Sequence, residues 1–196
     1  MNFNIDTLRH MPLTIALIVI CVIVALFSRV GANTESLLPL FISAYGNAGL
    51  PEIRAGELWR LLTPIFIHFG FIHIVFNMLW LYDLGRVLEV SQKSPQLGLL
   101  IVIIGVLSNL AQYAWGGPGF GGMSGVVYGL LGYVWMQARY NPRCGFIVNQ
   151  QIMLMMMAWF VICWLGIVGN VANMAHTAGL LSGGALGWIF SLPRRS

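Results

Sequence analysis

Six apolar runs, each long enough to cross a hydrocarbon layer, take up most of this chain. They fall at roughly 12–30, 67–90, 97–115, 123–140, 147–168 and 173–192, with polar or glycine-rich breaks between them. About 20 apolar residues match the ~30 Å core of a bilayer, and within lipid a helix satisfies all of its own backbone polar groups. The expected fold is therefore all-α and polytopic: one membrane domain over residues 1–196, a bundle of six transmembrane helices. Composition agrees, with 58% hydrophobic and only 8% charged residues, against ~25% charge in soluble domains. No repeat, low-complexity tract or soluble appendage interrupts the pattern.

The charges read best as orientation signals. A net charge of +4 is small and scattered, so nucleic acid is not an expected partner. With both termini on one side, that side holds Arg9, Arg86, Lys93, Arg139, Arg143, Arg194 and Arg195, and the other holds Arg29, Arg54 and Arg60. Seven against three places the termini in the cytoplasm. Cys21, Cys144 and Cys163 are odd in number and far apart, which favours packing over a disulfide framework. The first run is long for a signal-peptide core, has no small-residue cleavage site after it, and is expected to stay as an anchor.

In this topology the second, fourth and sixth spans all descend from the outer face. His73 and Asn77 fall in the first turns of the second, Ser124 opens the fourth, and His176 falls in the first turn of the sixth. Four polar groups from three segments share one depth, and intramembrane polar groups are costly and tend to be functional. A membrane serine alone commonly bonds its own backbone or fills a notch. Ser124 differs in following a glycine-rich turn, Gly116 to Gly122, which leaves its backbone N–H free at a helix start. Gly125, Gly129 and Gly132 then make a smooth face, and Ala175, Gly179, Gly183 and Gly187 make another at four-residue intervals. Close approach of these faces brings His176 towards Ser124, and Tyr128, one turn on, is placed to stack on the imidazole.

Asp83 and Glu89 are the acids within a span, and both lie towards its cytoplasmic end. Glu89 is ~24 Å beyond His73 along a helix, so the chemistry expected is a Ser–His dyad without a carboxylate. Asp83, Arg86 and Glu89, three residues apart, are expected to form an ion-pair cluster at the inner surface. His73 and Asn77 carry N–H groups suited to an oxyanion, with interhelical hydrogen bonding as the structural alternative. His68, at the outer edge, has no assigned role. A zinc protease would need His-Glu-x-x-His and an aspartyl protease two carboxylates sharing a proton; neither pattern occurs, and neither metal nor cofactor is expected. Met153 to Met157 read as lipid-facing or adaptable packing. The long first loop, about 31–66, holds Glu57-Leu58-Trp59-Arg60 and has the aromatic composition of an interfacial segment, a solvated loop being the alternative.

These residues resemble the rhomboid family of intramembrane serine proteases, in its short bacterial form. The resemblance is carried by Trp59-Arg60, His73-x-x-x-Asn77, Gly85-x-x-x-Glu89, Gly122-x-Ser124-Gly125 with Tyr128, and Ala172-Asn173-x-Ala175-His176-x-x-Gly179-x-x-x-Gly183. It covers the first loop and the second to sixth spans, and the cytoplasmic N-terminal domain of many relatives is not expected here. It implies Ser124 as nucleophile, His176 as general base, and His73, Asn77 and the Ser124 N–H as the oxyanion hole. It also implies transmembrane protein substrates, cut near the outer face of a bacterial inner membrane. A non-catalytic relative that binds membrane helices would be expected to lack Ser124 or His176. A small transporter would be expected to carry polar groups at several depths or an internal repeat.

Overall fold

The computed structural model describes residues 9–46 and 48–192; Arg194 and Arg195, which count towards the expected orientation, lie outside them. Every regular element among the described residues is helical. Pro12 opens α1 (Pro12–Phe27), where a missing N–H leaves no bond unmade. The free N–H groups of Leu13 and Thr14 donate to the two carboxylate oxygens of Glu89 at 2.7 and 2.8 Å, and the Thr14 hydroxyl donates at 2.6 Å. An acid against a helix start satisfies orphan donors and favours the helix dipole. Gly85, one turn before Glu89, makes the approach possible, since a Cβ there would sit 2.8 Å from Thr14 Oγ1.

This corrects the expected inner-surface ion cluster. Among the described residues neither Asp83 nor Arg86 forms an ion pair with Glu89, whose oxygens go to α1 and to the Ser94 hydroxyl at 2.7 Å. The start of α1 supplies preorganised backbone donors, so no flexible arginine has to be ordered.

α1 stops at Phe27, short of residue 30, because Arg29, Val30 and Gly31 all take positive φ (51°, 55° and 84°). Gly31 then lies against the His68 carbonyl and Phe69, where no Cβ fits, and the Gly70 N–H donates to Val30 O at 2.9 Å. The first loop therefore leaves and returns at one point. It is organised rather than random: it holds α2 (Pro51–Arg54) and three single turns of tighter helix. Arg60 is 7% exposed; its Nη1 donates to the carbonyls of Leu38 and Phe41 at 2.7 and 2.9 Å, and its Nε pairs with Glu57 at 2.6 Å. A guanidinium fork serves several acceptors at once, which suits it to pinning a loop.

Glu52 performs a similar task, accepting from Ala44 N–H at 2.6 Å and the Ser43 hydroxyl at 3.0 Å. Burial pushes its carboxyl pKa up, but the backbone N–H groups, the Ser43 hydroxyl and the Arg60 charge together hold it below the ordinary value. A depressed folded pKa contributes stability above the unfolded value, ~4.3, that is lost as pH falls through the folded one. Glu52→Gln should accordingly lower Tm at pH 7 and flatten its decline below about pH 4. Parallel Tm–pH curves for variant and wild type would remove Glu52 from the loop's stability.

α3 (Phe71–Gly116) comprises two helical arms joined at a kink at Lys93 (φ 73°, ψ 161°), just before Pro95. Its arms, 71–92 and 94–116, correspond to the second and third apolar runs. Proline has no N–H to give the preceding turn, so the bend falls there. α4 (Ser124–Tyr140), α5 (Gln150–Trp164) and α6 (Asn173–Ser191) follow. By length and apolarity α3 qualifies as a membrane crosser; α1 and α5 are apolar but shorter, at 16 and 15 residues.

The centre of the bundle is the seam between α4 and α6. A Cβ on Gly179 would overlap the Gly125 carbonyl, one on Gly183 the Gly129 backbone, and one on Gly187 would lie 2.6 Å from Tyr133 O. Backbone meets backbone along the whole stripe. Gln137 Nε2 closes the far end, donating to Gly187 O at 2.7 Å. α5 lies outside this seam: of its 15 residues Met156 and Cys163 are buried, and Met155 is 54% exposed.

Candidate active site

Ser124 stands at the start of α4 because the turn before it is folded by its glycines. Gly122 takes φ +134°, a conformation closed to side chains bearing a Cβ. Its N–H donates to Pro64 O at 3.0 Å, and a Cβ on Gly122 would lie 2.8 Å from His73 Nε2. The turn is thus laid against the segment that leads into α3. The first N–H groups of a helix lack intrahelical acceptors, so the Ser124 N–H is a donor at the helix mouth.

His176 comes from the fourth position of α6, and its Nε2 lies 2.8 Å from Ser124 Oγ. The side chain is 4% exposed. The Tyr128 ring lies beneath it, centroids 4.8 Å apart, and is itself held by a hydroxyl bond to Met156 O at 3.1 Å and an edge contact with Phe160. The contact itself is compatible with either tautomer, since a hydroxyl both donates and accepts. A general base needs the one in which Nε2 accepts the Ser124 hydroxyl and the proton sits on Nδ1, a buried atom without a hydrogen-bond partner among the described residues.

His73 projects from the first turn of α3. Its Nδ1 accepts the Phe69 N–H at 3.2 Å, so the proton of the neutral ring sits on Nε2, the atom beside Gly122. Asn77, one turn on and 5% exposed, donates Nδ2 to His73 O at 2.8 Å. Part of its amide is therefore engaged with its own helix, and one N–H is left over. Ser124, His176, His73, Asn77 and Tyr128 all line one cavity of about 950 Å³.

Sequence reasoning passed over two residues of this neighbourhood. Gln112 Oε1 accepts from the N–H groups of Met174 and Ala175 at 3.1 and 3.2 Å, capping the helix that carries His176. The other is His68, fully buried between the His73 ring and the Gly122–Met123 peptide. The rule that polar groups in apolar runs are functional would have flagged both, along with Ser108 and Asn109.

A family model described as the rhomboid domain matches residues 55–193, 139 of the 196 positions. The chain belongs to the rhomboid family. It is 35% identical over 192 residues to rhomboid protease GlpG of Klebsiella pneumoniae strain 342, a match covering 96% of this chain and 67% of that protein. Against rhomboid protease GlpG of Salmonella newport (strain SL254) identity is 40% over 140 residues, 71% of this chain and 51% of the relative. The rhomboid chain is thus of the GlpG type, a membrane protein and an enzyme of the serine endopeptidase class.

Proposed function

We propose that this rhomboid cleaves transmembrane proteins near the outer face of a bacterial inner membrane, with Ser124 as nucleophile and His176 as base. The observation that carries the reading is the 2.8 Å approach of His176 Nε2 to Ser124 Oγ inside the shared cavity. His176 takes the serine proton as Oγ attacks a peptide carbonyl, and returns it to the leaving amine; water then hydrolyses the acyl-enzyme. The charge that develops on the carbonyl oxygen meets the Ser124 N–H, His73 Nε2–H and the free Asn77 N–H. A substrate helix must unwind locally, because its carbonyls are otherwise committed to hydrogen bonds. Cleavage of a model transmembrane substrate by the detergent-solubilised protein, beside Ser124→Ala, tests the reading.

The same proposal includes six membrane crossings with both termini in the cytoplasm. Helices of 15 to 19 residues span only ~22–28 Å, so the bilayer thins or loop segments complete the crossing. A cavity at the outer ends of α3, α4 and α6 then lies just below the surface, where water is within reach. The exposed Trp59, Leu58 and Tyr45 of the first loop suit the interface.

His73→Ala and Asn77→Ala should each reduce kcat by ~10²-fold and leave residual activity, since one oxyanion donor is lost and others remain. Turnover equal to wild type in both variants would make the two residues structural.

A further inference from the structure

We infer that His68, remote from the dyad in sequence, is the positioning residue that sets the oxyanion hole. The inference rests on the reading of Ser124 and His73 given above. Its basis is that one fully buried imidazole touches both walls of that hole. On one side the Met123 N–H donates to His68 Nε2 at 3.5 Å; on the other the ring lies against His73, centroids 5.2 Å apart and planes tilted by 59°. The opposite ring atom, Nδ1, faces Phe66 O at 3.1 Å. Nδ1 therefore carries the proton and Nε2 is the acceptor, so the two bonds require the same neutral tautomer.

The consequence follows from backbone geometry. Met123 is held at both ends, its N–H by His68 and its carbonyl by the Val127 N–H at 2.9 Å. In a trans peptide the C=O and the next N–H point in opposite directions. The Met123 carbonyl, held by Val127, therefore aims the Ser124 N–H of the same peptide away from the body of α4, and His68 anchors the preceding Gly122–Met123 peptide so that this helix start keeps its place. The other wall is set from the same short segment, since Phe69 N–H fixes the His73 tautomer. Residues 64–69 thus hold the serine turn at two points, through Pro64 O and His68 Nε2, and the second imidazole at a third. A hydrophobic replacement at 68 would leave the Met123 N–H buried without an acceptor and free the turn to rotate. A misplacement of ~1 Å in a catalytic group costs ~10²-fold in rate.

The test compares His68→Gln, His68→Asn and His68→Leu, with Ser124→Ala as a reference, by kcat, KM and Tm on one transmembrane substrate. The glutamine amide oxygen reaches about as far as Nε2 and keeps an acceptor for Met123, whereas the asparagine oxygen stops short. His68→Gln should stay within a few-fold of wild-type kcat. His68→Asn and His68→Leu should lose ~10²-fold in kcat at unchanged KM, a split that global loosening does not produce. Equal kcat for Gln and Asn, or losses that simply follow Tm, would overturn the inference. If His68→Leu fails to fold, the Gln–Asn comparison decides it alone. Full activity in Ser124→Ala would instead overturn the functional reading, so the two failures are distinguishable.

Discussion

Ser124→Ala should abolish cleavage of a transmembrane substrate while leaving Tm close to wild type. Alanine is the best helix former, and the substitution removes one oxygen from a partly buried position at the mouth of α4. The chemistry loses its nucleophile outright, an effect on the order of 10⁴–10⁶ in kcat where nucleophile and base act as a unit. His176→Ala should fall nearly as far, and the double variant scarcely further, because either change alone already ends the same proton transfer. A fluorophosphonate should label wild type at Ser124 and leave His176→Ala almost unlabelled. Strong cleavage by folded Ser124→Ala, or a double variant far worse than both singles, would separate these residues.

A comparable loss should come from a residue that touches no reacting group. Gly183→Val would drive a branched side chain into the Gly129 carbonyl, carbon and Cα, backbone atoms that cannot rotate aside. The clash lies on the seam that sets the distance between α4 and α6, hence between Ser124 and His176. Overpacking costs ~1–3 kcal/mol or more, and the displacement should lower activity by at least ~10²-fold. Gly179→Val, against the Gly125 carbonyl, should behave alike. Gly184→Ala is the control: its nearest neighbour would be Met136 Cγ at 4.0 Å, so it should be active and no less stable. Thermal melts with cleavage rates decide the matter. A stable, active Gly183→Val protein would mean that the seam does not set the dyad distance.

How much of this could be read in advance depends on whether the signal is local. Helical class was legible because apolar runs and the constraints of lipid are properties of single segments. The glycine stripe of α6 was legible too, since a four-residue repeat defines one helix face whatever packs on it. Ser124 after its glycine turn and His176 after Asn173 stand out as motifs, and Tyr128 follows from one-turn spacing. Span limits were less visible: α1 ends early because Arg29 and Val30 turn left-handed, and nothing in their side chains announces it.

What only the tertiary structure decided is where hydrogen-bonding capacity is spent. Glu89 looked like one member of a charged helix face, yet it caps α1, 75 residues away in sequence from Thr14. Gln112 looked like an isolated polar residue in an apolar run, and it caps α6 across 62 positions. His68 looked peripheral because its partner, the Met123 N–H, lies 55 residues on. The amide of Asn77 was expected to face an oxyanion, and one of its hydrogens goes to the carbonyl of His73. A side chain's residue type states what it can donate or accept, and that much the sequence determines. Which donor it meets depends on which backbone ends the packed helices bring within 3 Å or so, and that is set by close packing of the whole bundle.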